Sequence, residues 1–149
     1  MHFTEAYPAT RHEIAPPVDL SDRKQRERLS SDAVRAFFNI MARWKIRDED
    51  ARQLLGGISN GAYYALKKGQ GNESARPLDE NRLLRISHLI GIFKALNVLH
   101  GEALADRWVQ LPNGNRIFGG KSPRDYLMQG GLPAFATVRK LLDARRVGH

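Results

Sequence analysis

Three groups of side chains in this 149-residue chain are capable of chemistry. The first is the histidines and carboxylates. His2, His12, His88, His100 and His149 never fall three or four residues apart, so no helix presents two imidazoles on one face to a metal or a nucleophile. His88 and His100 share one predicted helix but lie about three turns apart. The acidic run Asp48-Glu49-Asp50 suits the positive end of a helix better than a general acid–base pair. No phosphate-cradling G-x-x-x-x-G-K-[ST] occurs, no G-x-G-x-x-G follows a strand, and there is no cysteine to supply a thiolate. The chain is therefore expected not to be an enzyme, and to need no metal, cofactor or small-molecule substrate.

The second group is SNGAYYALKK, residues 59–68. As a helix it is expected to pack Ala62, Ala65 and Leu66 inward and to present Ser59, Asn60, Tyr63 and Lys67 outward, with Lys68 beside them. Asn pairs bidentately with adenine, Tyr reaches a phosphate or base edge, and Lys neutralises phosphates, so this face has the chemistry of a DNA-reading helix. Arg47 and Arg52, on the preceding segment, are candidates for backbone contacts. The third group is the stretch WVQLPNGNRIFGGKSPRDYLMQGG, residues 108–131, with the arginines around and after it. Arg116, Arg124, Arg139, Arg145 and Arg146 supply planar forks that match carboxylates.

The elements that must position these groups are predicted to be helices. SSDAVRAFFNIMARWKI places Val34, Phe37, Phe38, Met41 and Trp44 on one stripe, a core-facing helix capped at Ser30 or Ser31. Residues 48–68 then read as two short helices. Gly56-Gly57 makes a left-handed stop between them, Ile58 sits in the turn, Ser59 caps the second helix and Gly69 ends it: a helix-turn-helix. QGNESARP is a polar loop. The next helix, from Asp79 to Gly101, carries one stripe of Leu83, Ile86, Ile90 and Phe93 and another of Leu89, Ile92, Leu96 and Leu99. Being apolar on two sides, it should be covered on two sides. Within residues 108–131, Asn113-Gly114 signals a tight turn and leaves room for one short hairpin. Ser122-Pro123-Arg124-Asp125 is a helix start, Gly130-Gly131 a stop, and Phe135, Val138, Leu141 and Leu142 line a last helix.

The organisation is thus an all-α fold in three parts: a flexible, proline-containing arm at 1–29, whose residues 22–29 could also lead helically into the first apolar stripe; a helix-turn-helix and dimerisation region at 30–107; and a partner-binding region at 108–149. The net charge of +8 is uneven. Residues 1–29 are neutral, residues 30–107 carry +3, and residues 108–149 carry +5 from seven basic and two acidic groups. Such a balance favours polyanions or acidic protein faces. No apolar run approaches the roughly 18 residues of a membrane span, and the first residues lack the layout of a secretory signal, so a cytoplasmic protein without a membrane partner is expected.

In order, A-R-Q-L-L-G-G-I-S, L-x-R-I-S-H-L-I-G-I-F-K-A-L, R-W-V-Q-L-P-N, G-G-K-S-P-R-D-Y-L, G-G and V-R-K-L-L-D-A-R-R resemble the Xre/MbcA/ParS-type antitoxins, partners of RES-domain toxins, over residues 31–149. The resemblance implies a homodimer that represses its own operon, more tightly with toxin bound. It also implies a C-terminal region that blocks the active site of an NAD-consuming toxin. Carried over, the toxin-binding motif falls on Trp108, Pro112, Asn113, Gly119, Gly120, Ser122, Pro123, Gly130 and Gly131, with Arg139, Arg145 and Arg146 near the end and Arg116 and Arg124 between. Trp108 and Phe135 are candidate apolar anchors, Trp108 being equally suited to burial within the chain. Arg145 and Arg146 are candidates to enter the toxin pocket. The alternative function is a stand-alone helix-turn-helix regulator whose C-terminal part only dimerises.

Overall fold

The computed structural model describes residues 21–70 and 78–147. The arm before residue 21 and most of the loop QGNESARP lie outside the described residues. Among the described residues six helices and one 3-10 turn occur, in the order α1 (Arg23–Trp44), α2 (Asp48–Leu54), α3 (Asn60–Lys68), α4 (Glu80–His100), α5 (Glu102–Trp108), the turn Arg116–Phe118, and α6 (Pro123–Val147). The all-α expectation holds. Among the described residues there is no strand, and the 3-10 turn occupies the place allowed for a short hairpin.

α1 starts earlier than its apolar stripe. The Asp22 carboxylate accepts from the Lys24 backbone N–H at 3.0 Å, so residues 23–29 take the helical one of the two forms open to them. Ser30 is correspondingly not a cap. It is buried mid-helix, donating to the Arg26 carbonyl and accepting the Leu78 N–H at 2.9 Å, which ties the approach to α4 onto α1. Val34, Phe37, Phe38, Met41 and Trp44 are all buried as their spacing requires.

α4 is the centre. It packs most extensively against α6, then against α1 and α5. Its two stripes are covered: Leu83, Ile86, Leu89, Ile90, Ile92 and Leu96 are all buried. One expectation is corrected here. α4 contains an 18-residue window of mean hydropathy 1.2, long and apolar enough by composition for a membrane span. The polar interruptions at Arg85, Ser87, His88 and Lys94 hide that run from inspection, and the helices packed around α4 account for its apolarity as core.

α2 and α3 form the helix-turn-helix. Gly56 and Gly57 adopt φ of 90° and 77°, and the Arg52 guanidinium donates to the Ile58 carbonyl at 2.7 Å, closing the turn. Asp79 caps α4 through the Arg82 N–H at 2.8 Å. Ser122 caps α6 through the Asp125 N–H at 3.2 Å, with Pro123 as the first helical residue. α6 is broken at Gly131, whose φ of 65° and ψ of −154° only glycine adopts readily, so the expected stop is a kink between two helical halves.

Candidate DNA-reading helix and toxin-binding surface

The Ser59 hydroxyl accepts the Ala62 N–H at 3.2 Å and starts α3 as expected. The rotation of α3 differs from the sequence reading. Tyr63 is 1% exposed, its ring edge-on to Phe38 at 5.5 Å, whereas Ala62 and Ala65 face solvent. The reason is area: one aromatic ring against the α1 core removes more apolar surface from water than two alanine methyls. Its phenol is kept from being orphaned by donating to Asp48 Oδ1 at 2.7 Å, and Lys67 Nζ donates to the same oxygen at 2.8 Å. Lys67, then Tyr63, hold the Asp48 carboxyl below its ordinary range, while burial and Asp48 push the Tyr63 phenol up.

Tyr63 is therefore removed from the DNA-facing set, and Lys67 is committed to Asp48. The open face of α3 is instead Asn60, Tyr64 and Lys68, each one turn from the next, flanked by Gly61 and Ala65. Tyr64 is 51% exposed and packs edge-on to Tyr63. Sequence reading missed it because two adjacent tyrosines fit the helix in either of two rotations, and only Phe38 on another helix decides between them. The two arginines proposed for backbone contacts are also engaged internally. Arg47 pairs with Asp50 at 3.3 Å, which raises its pKa, and Arg52 closes the turn.

The segment from Trp108 to Arg124 is built around Phe118. Trp108 meets the Phe118 ring edge-on at 5.8 Å, and Phe118 meets Tyr126 in the same way at 5.3 Å. Asn113 Oδ1 accepts the Asn115 N–H at 2.8 Å, and Asn115 Oδ1 accepts the Ile117 N–H at 3.1 Å, so the two asparagines hold successive turns. Backbone bonds from Asn113 N–H to the Lys121 carbonyl and from Arg124 N–H to the Val109 carbonyl close the loop. The result is a fixed platform that exposes Leu111, Pro112, Gly114, Arg116, Gly119, Gly120 and Gly130.

Several proposed toxin contacts prove to be its frame. Trp108, Ser122 and Pro123 are buried, and Phe135 is fully enclosed, so Phe135 cannot anchor an interface from its place in the core. Arg124 donates to Gln110 Oε1 at 2.7 Å and to Asp125 at 3.2 Å, and lies 3.9 Å from Asp50. Gln110 in turn donates to the Trp44 carbonyl at 2.7 Å. Arg124 thus locks the platform to α1 and α2. Gly131 makes the kink. Arg139 and Arg146 lie beside a single carboxylate, Asp143, and Arg145 is half-buried with no ion pair among the described residues. No cluster of metal-ligating side chains exists among the described residues.

The platform and the arginine-bearing half of α6 lie within residues 94–148, which match the model of the antitoxin Xre/MbcA/ParS C-terminal toxin-binding domain. An uncharacterised protein of Sinorhizobium fredii (strain NBRC 101917 / NGR234), y4oB, is 36% identical over 126 residues, which cover 80% of this chain and 92% of the relative. Over residues 94–148 the chain carries the C-terminal toxin-binding domain of the Xre/MbcA/ParS antitoxins. That domain implies an antitoxin role, with a toxin as the partner. No solved structure matches it. The matched domain begins within α4 of the antitoxin and so includes part of the central core helix, not only the segment after Trp108.

Proposed function

We propose that this antitoxin, acting in the cytoplasm as a homodimer, binds a RES-domain toxin, covers its NAD-consuming active site, and represses its own operon through α3. The observation that carries the reading is the matched domain itself. It encloses both the exposed platform and the arginines of the last helical turns, Arg145 and Arg146. Occlusion needs no chemistry from the antitoxin, in keeping with the absence of any nucleophile–base or metal constellation in the sequence. It needs rigid shape, which the asparagine turns and the Phe118 cluster supply, and cationic forks at the chain end to meet acidic groups around a pocket.

The operator-binding part rests on the bare, small-residue start of α3. Gly61 has open space before it, so base edges approach Asn60 and Tyr64 closely. The test is truncation after Leu142, which keeps the buried residues of α6 and removes Arg145 and Arg146. Co-expressed with the toxin from the neighbouring gene, the truncated antitoxin should fail to protect cells while still shifting operator DNA in a gel. Protection at the level of the full chain would refute blocking by the C-terminal arginines. A neighbouring gene that is harmless alone would instead favour a stand-alone regulator.

A further inference from the structure

Between α4 and the second half of α6 runs a groove of about 520 Å³, with Ile90, Gly91, Lys94, Arg139, Asp143 and Arg146 in its lining. Its charge is mostly positive: beside Lys94, the two guanidinia of Arg139 and Arg146 share one carboxylate, Asp143, among the described residues. That carboxylate is 3.7 Å from Arg139 Nε and 3.9 Å from Arg146 Nη1, both beyond hydrogen-bonding distance. The other acceptor for Arg139 among the described residues is the Ser87 carbonyl, at the long limit of 3.5 Å. Burial, then Arg139 and Arg146, hold the Lys94 ammonium below its usual pKa. The Arg139 side chain lies directly against Gly91, where a Cβ would come within 2.4 Å of Arg139 Nε. Apolar surface accompanies the charge. Val98 is 66% exposed and Val147 86% exposed, on opposite walls.

We propose that this groove is a second docking surface for the toxin, and that it takes an acidic segment of the toxin chain carrying carboxylates beside an apolar side chain. A planar guanidinium binds a carboxylate bidentately, and two guanidinia sharing one distant carboxylate leave such pairing unmet among the described residues. The apolar walls favour a polypeptide over a bare phosphate backbone, since Val98 and Val147 gain only from an apolar neighbour. Position agrees: the groove is lined by Lys94, the first residue of the matched toxin-binding domain, and by Arg139, Arg146 and Val147 within it. The inference rests on the reading of the chain as a toxin-binding antitoxin and extends it to a face distinct from the platform at 109–122.

The experiment uses the full antitoxin and the purified toxin of the neighbouring gene, inactivated in its active site. The double variant Lys94→Glu/Arg139→Glu, which leaves Arg145 and Arg146 in place, should weaken the toxin Kd at least tenfold and flatten its salt dependence. Lys140→Glu, a charge reversal on the exposed face of the same helix, should change Kd less than threefold. Carbodiimide coupling of the unsubstituted complex should join Lys94 to an aspartate or glutamate of the toxin, a readout that needs no variant to fold. Unchanged affinity in the double variant, or a loss no greater than that of Lys140→Glu, would overturn the proposal, as would coupling that leaves Lys94 unmodified. A double variant that loses operator binding but keeps the toxin would assign the groove to nucleic acid and refute it equally. If the unsubstituted protein does not bind the toxin at all, the antitoxin–toxin pairing itself fails, and the groove proposal falls with it.

Discussion

Replacing Tyr63 with phenylalanine removes one oxygen and leaves the ring against Phe38. The lost interaction is a phenol donating to the Asp48 carboxylate at 2.7 Å. A hydrogen bond to a charged acceptor contributes about 1.5–3 kcal/mol. Here that figure is reduced, because the Asp48 side chain is 39% exposed, so water can replace the donor, and Lys67 stays 2.8 Å away. The net cost of Tyr63→Phe is therefore about 1 kcal/mol, or about 3 °C in Tm for a chain of this size. Tyr63→Ala, which also empties the ring's site in the core, should cost about 3–5 kcal/mol.

Urea denaturation of Tyr63→Phe, Asp48→Asn and the double variant isolates the pair, and a coupling of about 1 kcal/mol is expected. The pH dependence has a fixed sign. The folded pKa of Asp48 lies below its ordinary value, so the stability it contributes is present above pH 3.8 and is lost as pH falls through the folded pKa. Tyr63→Phe should bind operator DNA within about twofold of the parent, whereas Tyr64→Ala should weaken that binding tenfold or more with stability changed by less than about 0.5 kcal/mol. Zero coupling between Tyr63 and Asp48, or loss of DNA binding by a fully folded Tyr63→Phe, would refute the assignment of one tyrosine to the frame and its neighbour to the open face.

Gly131→Ala forces a side chain into φ 65°, ψ −154°, and should destabilise the fold by about 1–3 kcal/mol in thermal denaturation. Phe118→Ala removes the ring joining Trp108 to Tyr126. It should cost about 3–5 kcal/mol and make Trp108 fluorescence report a wetter environment. His88 is held below its usual pKa by burial and then by Arg139, so it is neutral in the folded chain at neutral pH. Its contribution is complete above pH 6.5 and is lost as pH falls below that value through the folded pKa. His88→Gln should flatten the fall in stability between pH 7 and pH 5.5, and an unchanged slope would place the acid sensitivity elsewhere.

The helices of this chain were legible because their stripes and caps are local. Ser59, Asp79 and Ser122 cap helices as their positions imply, and both faces of α4 are buried as its double stripe requires. Features that depend on a neighbouring helix were not legible. Phe38 rotates α3, Leu78 draws Ser30 into the core, and Asp50 with Gln110 takes Arg124 out of circulation. In the segment 108–124, turn signals located the bends, but strand pairing was not distinguishable from asparagine-held turns. Asn113 and Asn115 each hydrogen-bond backbone two residues ahead, a local bond that suits either form.

The same distinction explains where the charge of +8 can act. Acids are plentiful from Asp32 to Asp106, and cations there find them: Arg43 meets Glu102 and Asp106, Arg47 meets Asp50, Lys67 meets Asp48, and Arg82 meets Asp79. Each pair is a short-range dipole whose field dies quickly in salt. Beyond Arg107 only Asp125 and Asp143 remain for seven cations. One of these acids faces Arg124, and the other is shared by two arginines that it does not reach within hydrogen-bonding distance. The excess positive potential therefore concentrates on the last third of the chain, most of which lies in the matched domain, while the cations nearest α3 are largely neutralised within the fold. An acidic protein partner is steered to the C-terminal helix first. By contrast, a single α3 face carrying Lys68 as its one cation without an ion pair among the described residues would gain little from counterion release, so the proposed repression would need two such faces joined.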